Sequence, residues 1–448
     1  MAHIAIIGNG ITGITAARHI RKLSGSRITV ISGESDHFYS RTALMYIYMG
    51  HMKYEHTKPY EDFFWAKNQI DLLRASVTAI DTDAKVLKLE GKPDLAYDKL
   101  IVATGSKPNK FGWPGQDLKG VHGFYSLQDL EDIERSTKQI SRAVIAGGGL
   151  IGIELAEMLA SRKIPVTFLV REKNYWDNVL PEEESKMISR HILEHGIDLR
   201  LQSELKEILA DDNGRARAVV TKSGEEIACQ FVGLTAGVSP NLDVVKSSKI
   251  ATKRGVLVSE FLETNVPDVY AAGDCAELVG TDGKSHVEQL WYTGRMQAEA
   301  LAQTICGTRT KYERGILFNS AKFLDIEYQT YGSVPNVLHG SDRTLYWEHA
   351  DGHHSIRLVY NAADDAITGF NLFGIRYRQA VCERWIKERR TLQYVLEHLG
   401  EANFDPEFFK QYESEIVALY NRQHPEKPLA LKAKRGLFST LQFRYQFR

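Results

Sequence analysis

Cysteine is scarce: four occur in 448 residues, at Cys229, Cys275, Cys306 and Cys382, and they lie far apart. With no C-x-x-C or C-x₄-C pair, neither a local redox disulfide nor a thiolate clip for zinc or iron–sulfur is expected. Each cysteine reads as a small buried hydrophobe, and no metal site is expected. Long apolar runs are also missing: none approaches the roughly 20 residues that a bilayer-spanning helix needs. Charge of one sign is missing as well. Lys and Arg total 56 against 57 Asp and Glu, a net charge of −1, so no overall field favours nucleic acid or acidic surfaces. The chain enters a core-like strand at residue 3, which leaves no room for a leader peptide; the expected location is the cytoplasm.

The stretch Ile4 to Gly13, IAIIGNGITG, is the point from which the chain can be read. A buried apolar run breaks into Gly8, Gly10 and Gly13 and continues as a helix over Ile14 to Leu23. Strand, G-x-G-x-x-G and helix in that order form a dinucleotide fingerprint. Gly8 permits the tight turn, Gly10 lets backbone approach a pyrophosphate, and Gly13 lets helix pack on strand. The helix start offers N–H groups to phosphate. The second strand, Arg27 to Ile31, is followed by Glu34, placed to bind a ribose hydroxyl.

The unit recurs. Arg142 to Ala146 is a second apolar run, followed by Gly147, Gly149 and Gly152, a helical segment from Ile153, and a strand from Lys163 to Val170. Two units in one chain mean two dinucleotides, and two dinucleotides side by side point to electron transfer between them. Where the second unit would read its ribose, Arg171 favours a 2′-phosphate and Glu172 a ribose diol; the choice between NADPH and NADH stays open. Between the units, residues 35 to 70 are polar and aromatic, Leu72 to Ile80 and Lys85 to Leu89 read as antiparallel strands, and residues 121 to 140 as an amphipathic helix. Further helices are expected at Glu182 to His195, Trp291 to Ile305 and Arg378 to Arg390. Short alternating strands begin near residue 315. Hydrophobic content of 43% over this length leaves room for about three domains.

Four motifs in order, GNGITG at 8–13, ATG at 103–105, GGGLIGIE at 147–154 and AAGD at 271–274, resemble the FAD-dependent pyridine nucleotide–disulfide oxidoreductase family. The chain is similar to its single-flavin branch of ferredoxin, rubredoxin and nitrite-type reductases, NADH oxidases and coenzyme A disulfide reductases, over residues 1 to about 330. The resemblance implies an α/β fold with two Rossmann-like, glutathione-reductase-like dinucleotide domains. An FAD-binding domain of residues 1–115 and 236–310 would be interrupted by an NAD(P)-binding domain of residues 116–235. A C-terminal α+β domain, residues 311–448, would end in a basic, aromatic tail. By the same resemblance FAD contacts Gly8, Gly10, Gly13, Glu34, Arg41, Thr104, Gly105, Gly237, Gly273, Asp274 and Gln289. Asp274 would bind the ribityl–phosphate region, with Glu288, Gln289 and Trp291 near the isoalloxazine. NAD(P)H would contact Gly147, Gly149, Gly152, Arg171 and Glu172.

Two departures shape the expected chemistry. Where disulfide- and peroxide-reducing members carry a cysteine, this chain has Thr42, which can form neither a thiolate nor a mixed disulfide. Where ferredoxin-reductase relatives have Arg-Pro-Pro-Leu-Ser-Lys, it reads Arg41-Thr-Ala-Leu-Met-Tyr46. The relatives' lysine would pair with the residue matching Glu154, so that ion pair is expected to be lost, or rebuilt with Lys53. Glu154, Tyr46 and Lys53 are therefore the candidate catalytic side chains. The resemblance implies an NAD(P)H oxidoreductase whose flavin passes electrons to a small ferredoxin- or rubredoxin-like carrier protein. Two alternatives stay open: a membrane-peripheral quinone reductase, motivated by basic and aromatic residues from Leu429 to Arg448, and a flavin- and nucleotide-sensing binding protein. That tail reads as docking on its own domain, on a second copy in a homodimer, or weakly on a membrane.

Overall fold

A computed structural model describes residues 2–280, 283–405 and 407–432. They form two compact units, one from the described residues of Met1–Arg171 and Ile197–Arg314, the other from those of Glu172–Gly196 and Gly315–Arg448.

The first unit holds two parallel five-stranded sheets. One runs Val269–Ala271, Lys99–Val102, His3–Ile7, Arg27–Ser32, Ile70–Arg74, every neighbour pair parallel. The other runs Asp198–Arg200, Val166–Leu169, Ala143–Ala146, Phe231–Leu234, Val121–His122, again all parallel. In each, the strand that carries the glycine motif is central, and its residues are buried on both faces (Ala5, Ile6; Val144, Ile145). That is why these strands read as continuous apolar runs rather than alternating ones. Crossover helices Ile11–Leu23 and Leu150–Ser161 follow the two glycine turns. A 15-residue helix, Trp291–Ile305, packs on Ile11–Leu23 through small residues: a Cβ on Gly294 would lie 2.6 Å from Thr12 Oγ1.

The alternating stretch at 72–80 is not one antiparallel strand. Ile70–Arg74 extends the first parallel sheet beside Arg27–Ser32. Val77–Asp81 then starts a separate antiparallel meander with Val86–Leu89 and Leu95–Ala96. Alternation reports one wet and one dry face, which an edge strand of a parallel sheet also has. The expected helix at 121–140 is shorter, Leu127–Ser136, and starts at a capping box in which Ser126 Oγ accepts from Asp129 N–H and Asp129 answers to the backbone of Ser126.

The second unit is an antiparallel sheet in the order Phe318–Phe323, Ile326–Gly332, Ile367–Phe373, Ser355–Asn361, Asp342–Glu348. Helices Gln379–Lys387, Leu392–His398 and Glu413–Gln423 bury Trp385, Leu396 and Ile416 in one core with Ile356, Leu358 and Phe370 of the sheet. Strand side chains alternate faces, so Arg357 lies opposite that core. There it makes paired hydrogen bonds to Glu184 (Nε–Oε1 2.6 Å, Nη2–Oε2 2.7 Å) and reaches Glu183 Oε2 at 2.7 Å. The helix carrying those acids, Glu182–Glu194, thus packs with residues 315–432 although it lies within the 116–235 span in sequence. Among the described residues no helix is long and apolar enough to cross a membrane. Most of the basic–aromatic tail, from Lys434 through Leu437, Phe438, Arg444 and Phe447 to Arg448, lies outside the described residues; Lys432 pairs with Glu397 Oε2 at 2.7 Å.

Candidate functional site

Each glycine turn is built so that only hydrogen fits at its first and third positions. Gly8 has φ +110°, and a Cβ there would lie 2.1 Å from the Ala103 carbonyl oxygen; a Cβ on Gly13 would lie 1.9 Å from the Gly8 oxygen. Among the described residues, a Cβ on the middle residue, Gly10, would meet nothing within 4 Å. That open space faces the start of helix Ile11–Leu23, which has no side-chain cap. First-turn N–H groups without intrahelical partners and a positive dipole end make this an anion cradle. The second turn repeats the design. Gly147 has φ +124° and a Cβ there would clash at 2.5 Å with Thr235; that of Gly152 would lie 2.3 Å from the Gly147 oxygen, and Gly149 is open. Both cradles therefore fit a pyrophosphate.

Around the first cradle a chain of polar side chains runs through five segments. Glu34 receives Arg41 as a fork, Nη1–Oε1 2.9 Å and Nη2–Oε2 2.7 Å, together with the Leu127 N–H at 3.1 Å and the Tyr39 hydroxyl. Burial pushes the Glu34 carboxyl up, but the bonds and charge of Arg41, with Tyr39 and the Leu127 N–H, hold it below its usual range. Arg41 also donates to the Tyr125 carbonyl at 2.5 Å and lies 4.4 Å above the Tyr125 ring. The Tyr125 hydroxyl, raised to about 12 by burial and by the Asp274 charge, accepts the Ser106 N–H at 2.9 Å. Ser106 Oγ then donates to Asp274 Oδ2 at 3.0 Å and accepts from Gln289 Nε2 at 2.8 Å. Burial raises Asp274 above the usual carboxylate range.

The small residues expected here hold backbone turns against this chain. Gly105, at φ +69°, would put a Cβ 2.9 Å from the Tyr125 hydroxyl. Thr104 Oγ1 donates to the Asn241 carbonyl at 2.7 Å, and Gly237, at φ +86°, accepts the Asn109 N–H at 3.1 Å, so the turn at 236–241 is tied to residues 104–109. Gly273, at φ +79°, donates to Gln297 Oε1 at 2.7 Å. Gln297 in turn donates to Glu288 Oε2 at 3.2 Å, which also accepts the Tyr312 hydroxyl at 2.7 Å. The structure thus brings Glu34, Arg41, Thr104, Gly105, Asp274 and Gln289 together. It does so through Ser106 and Tyr125, which motif spacing did not single out.

Glu154 is half-buried on helix Leu150–Ser161, and burial, with repulsion from Glu157, pushes its carboxyl up to about 7. Among the described residues no ion pair joins it to Lys53, which is exposed and whose backbone N–H donates to His56 Nδ1 at 3.2 Å. Tyr46, in the short helix Leu44–Tyr48, stacks on His51 with centroids 6.1 Å apart. That helix is held by Arg162, which lies 3.5 Å above the Tyr48 ring and donates to the Tyr48 carbonyl at 3.1 Å. Thr42 is exposed, its hydroxyl 3.2 Å from that of Ser40. Arg171 is exposed just beyond strand Val166–Leu169, and Glu172 is half-buried.

The thiols are placed for packing. Cys275 is fully buried with Sγ donating to the carbonyls of Val102 and Ala272 at 3.4 Å each, and burial raises its thiol. Burial pushes Cys229 up to about 12 and raises Cys382.

A family model described as pyridine nucleotide-disulphide oxidoreductase matches residues 2–298. The assimilatory nitrate reductase electron transfer subunit of Bacillus subtilis (strain 168) is 28% identical over 391 residues, 86% of this chain and 49% of that protein. A rubredoxin-NAD(+) reductase of Acinetobacter baylyi is 31% identical over 321 residues, 69% of this chain and 80% of that protein. The chain spans half or less of two of these relatives, 49% of the nitrate reductase subunit and 40% of a B. subtilis nitrite reductase. Among solved structures, an NAD-dependent persulfide reductase from A. fulgidus has the same fold at TM-score 0.80 and 21% identity, covering 94% of this chain and 84% of that one. So does the covalent putidaredoxin reductase–putidaredoxin complex, at TM-score 0.76 and 20% identity, covering 87% and 93%.

Proposed function

The chain belongs to the pyridine nucleotide-disulphide oxidoreductase family, and on that premise we propose that it is an FAD-dependent NAD(P)H oxidoreductase that passes electrons to a small iron–sulfur or rubredoxin-like carrier protein. The observation that carries this is the pair of pyrophosphate cradles, at Gly8–Gly13 and Gly147–Gly152, in one unit; the resemblance that matches Thr42 to a cysteine of disulfide-reducing members supports an acceptor other than a protein disulfide. The bound flavin supplies the two-electron to one-electron conversion. What this chain supplies is binding, orientation and electrostatics.

In this reading residues 1–115 and 236–310 bind FAD and residues 116–235 bind NAD(P)H. Gly10 and the N–H groups of helix Ile11–Leu23 face the FAD pyrophosphate, and Glu34 reads the adenosine ribose. Arg41, Ser106, Tyr125, Asp274 and Gln289 form the polar wall beside the flavin, assisted by the turns at Thr104, Gly105, Gly237 and Gly273. Gly149 and the helix Leu150–Ser161 receive the nicotinamide nucleotide, with Arg171 and Glu172 at its ribose. Glu154, whose carboxyl titrates near neutrality, is assigned the orienting of the nicotinamide, with Tyr46 and Lys53 as the further candidates of the resemblance. The relatives' names include a rubredoxin reductase and a ferredoxin reductase component; the carrier assignment rests on them.

Steady-state turnover tests the reading. Full-length protein loaded with FAD should oxidise NADH or NADPH continuously with ferricyanide, and should reduce cytochrome c only when a rubredoxin or ferredoxin is added. A single slow turnover that leaves a long-lived reduced complex would mark a sensor instead. Efficient quinone reduction with no carrier activity would mark a quinone reductase.

A further inference from the structure

The second unit gathers histidines and acids that the oxidoreductase reading does not use. His191 and His195 end the helix Glu182–Glu194, four residues apart and so on one face, with ring centroids 4.4 Å apart. Asp325 occupies the turn between strands Phe318–Phe323 and Ile326–Gly332. Its Oδ1 lies 2.5 Å from His191 Nε2 and 3.5 Å from His195 Nε2. One donor atom from each of the three residues falls within 4.8 Å of the others. Behind them, Glu194 Oε2 lies 3.5 Å from His191 Nδ1 and 3.1 Å from His353 Nε2.

Proton bookkeeping makes this cluster unusual. His195 Nδ1 is 3.0 Å from the His191 carbonyl, which fixes the N–H there. A neutral His195 therefore turns the lone pair of Nε2 toward the Asp325 carboxylate. His191, 1% exposed, has a carboxylate at each ring nitrogen, Asp325 Oδ1 2.5 Å from Nε2 and Glu194 Oε2 3.5 Å from Nδ1. A neutral imidazole has only one N–H, so one of its lone pairs also faces a carboxylate. A lone pair and a carboxylate that face each other are brought together favourably by a cation placed between them, and His191, at 1% exposure, has little water to do this.

We propose that His191 Nε2, His195 Nε2 and Asp325 bind one divalent transition-metal ion of the zinc type. With the metal on Nε2, His191 keeps its proton on Nδ1, facing Glu194. That is the carboxylate–histidine–metal arrangement that orients metal-bound imidazoles, and the His195 bond to a backbone carbonyl serves the same end. Two imidazoles and one carboxylate suit zinc rather than magnesium or calcium. Zinc bonds of about 2.0–2.2 Å set tetrahedral donors about 3.3–3.6 Å apart, so the His195–Asp325 spacing already fits and the His191–Asp325 pair must open by about 1 Å. The Asp325 side chain is 70% exposed, which gives the ion an entry path and leaves coordination positions for water. The bound ion would tie the strand turn at Asp325 to the helix end at His195 within the second unit.

The test is zinc uptake by full-length, chelator-stripped protein, followed by titration calorimetry and by metal analysis after gel filtration. One zinc per chain is expected, with no comparable uptake of magnesium. His195→Ala and Asp325→Asn should each weaken zinc at least 100-fold, and Glu194→Gln by about 10-fold. Both metal-ligand positions are partly or largely exposed, and Asp325→Asn on its surface turn keeps the test valid if His195→Ala fails to fold. Asp351→Asn, in the neighbouring His349, Asp351 and His354 group, should leave uptake unchanged. No saturable uptake by the wild type, uptake unchanged in both ligand variants, or uptake lost in Asp351→Asn would each overturn the proposal. So would a melting temperature that rises on acidification without responding to zinc, which would show that the cation is a proton. None of these readouts depends on NAD(P)H oxidation, so failure here and failure of the oxidoreductase reading are distinguishable.

Discussion

At Gly8 and Gly147 the backbone does the same thing twice: φ is +110° and +124°, the middle glycine stands open, and the third packs on the carbonyl of the first. The acids beside the two turns are treated in opposite ways. Glu34, beside the first, accepts the Arg41 fork, a tyrosine hydroxyl and a backbone N–H, and is held ionised. Glu154, on the helix that follows the second, has no ion pair among the described residues and titrates near neutrality. Phosphate binding is a backbone device and repeats with the backbone. What each nucleotide is used for depends on side chains, and there the two halves diverge. A cofactor that stays bound suits a site whose charges are mutually satisfied. A substrate that arrives and leaves suits one with a carboxyl whose charge can change.

The largest effects should come from the open glycines. Gly10→Ala adds a methyl where nothing among the described residues obstructs it but a pyrophosphate would. The protein should fold yet lose bound FAD, becoming colourless after gel filtration. Gly149→Ala should keep the yellow colour and lose NAD(P)H binding, read as failure of the nucleotide to bleach the flavin while dithionite still does. Loss of FAD in both variants, or in neither, would break the distinction between the cradles.

Nucleotide choice is the next largest effect. If Arg171 meets a 2′-phosphate, Arg171→Ala should raise KM for NADPH by the equivalent of about 1.5–3 kcal/mol and leave NADH nearly unchanged. Equal effects on both, measured by steady-state kinetics, would remove Arg171 from the ribose site.

Glu154 gives a smaller effect with a defined sign. A carboxyl raised from about 4.5 in the unfolded chain to about 7 in the folded one binds an extra proton in the folded state between those values. Stability from this group therefore falls as pH rises from about 4.5 to 7 and changes no further above that. Glu154→Gln should match the wild type near pH 4.5 and exceed it by about 1–3 kcal/mol at pH 8, half-burial tempering the full shift. Denaturant melts at the two pH values measure the difference; no pH dependence would show that the carboxyl is already ionised at neutrality.

The glycine turns were legible because a tight φ > 0 turn and a close helix–strand approach admit one residue type at fixed spacing. Residues tied by distant contacts were not. Tyr125 meets Arg41 across 84 positions and Ser106 meets Asp274 across 168, and nothing local distinguishes either from a surface tyrosine or serine. Helix Glu182–Glu194 was legible as a helix but not as a partner of residues 315–432, because an amphipathic pattern records that a face is buried and not by what. The Glu183–Glu184–Arg357 contacts and the His191–His195–Asp325 cluster were hidden for that reason. The sequence left open whether the relatives' ion pair at Glu154 is lost or rebuilt with Lys53; Lys53 is exposed, and among the described residues no ion pair joins the two.

The central claim is that one flavin, and no thiol, stores the electrons taken from the nicotinamide. Anaerobic reductive titration of the FAD-loaded protein measures this directly. The account predicts full bleaching of the flavin with two electrons per FAD, no long-wavelength thiolate-to-flavin band, and the same titration when Cys229, Cys275, Cys306 and Cys382 are all changed to serine or alanine. Four electrons per FAD, falling to two in the cysteine-free protein, would contradict it.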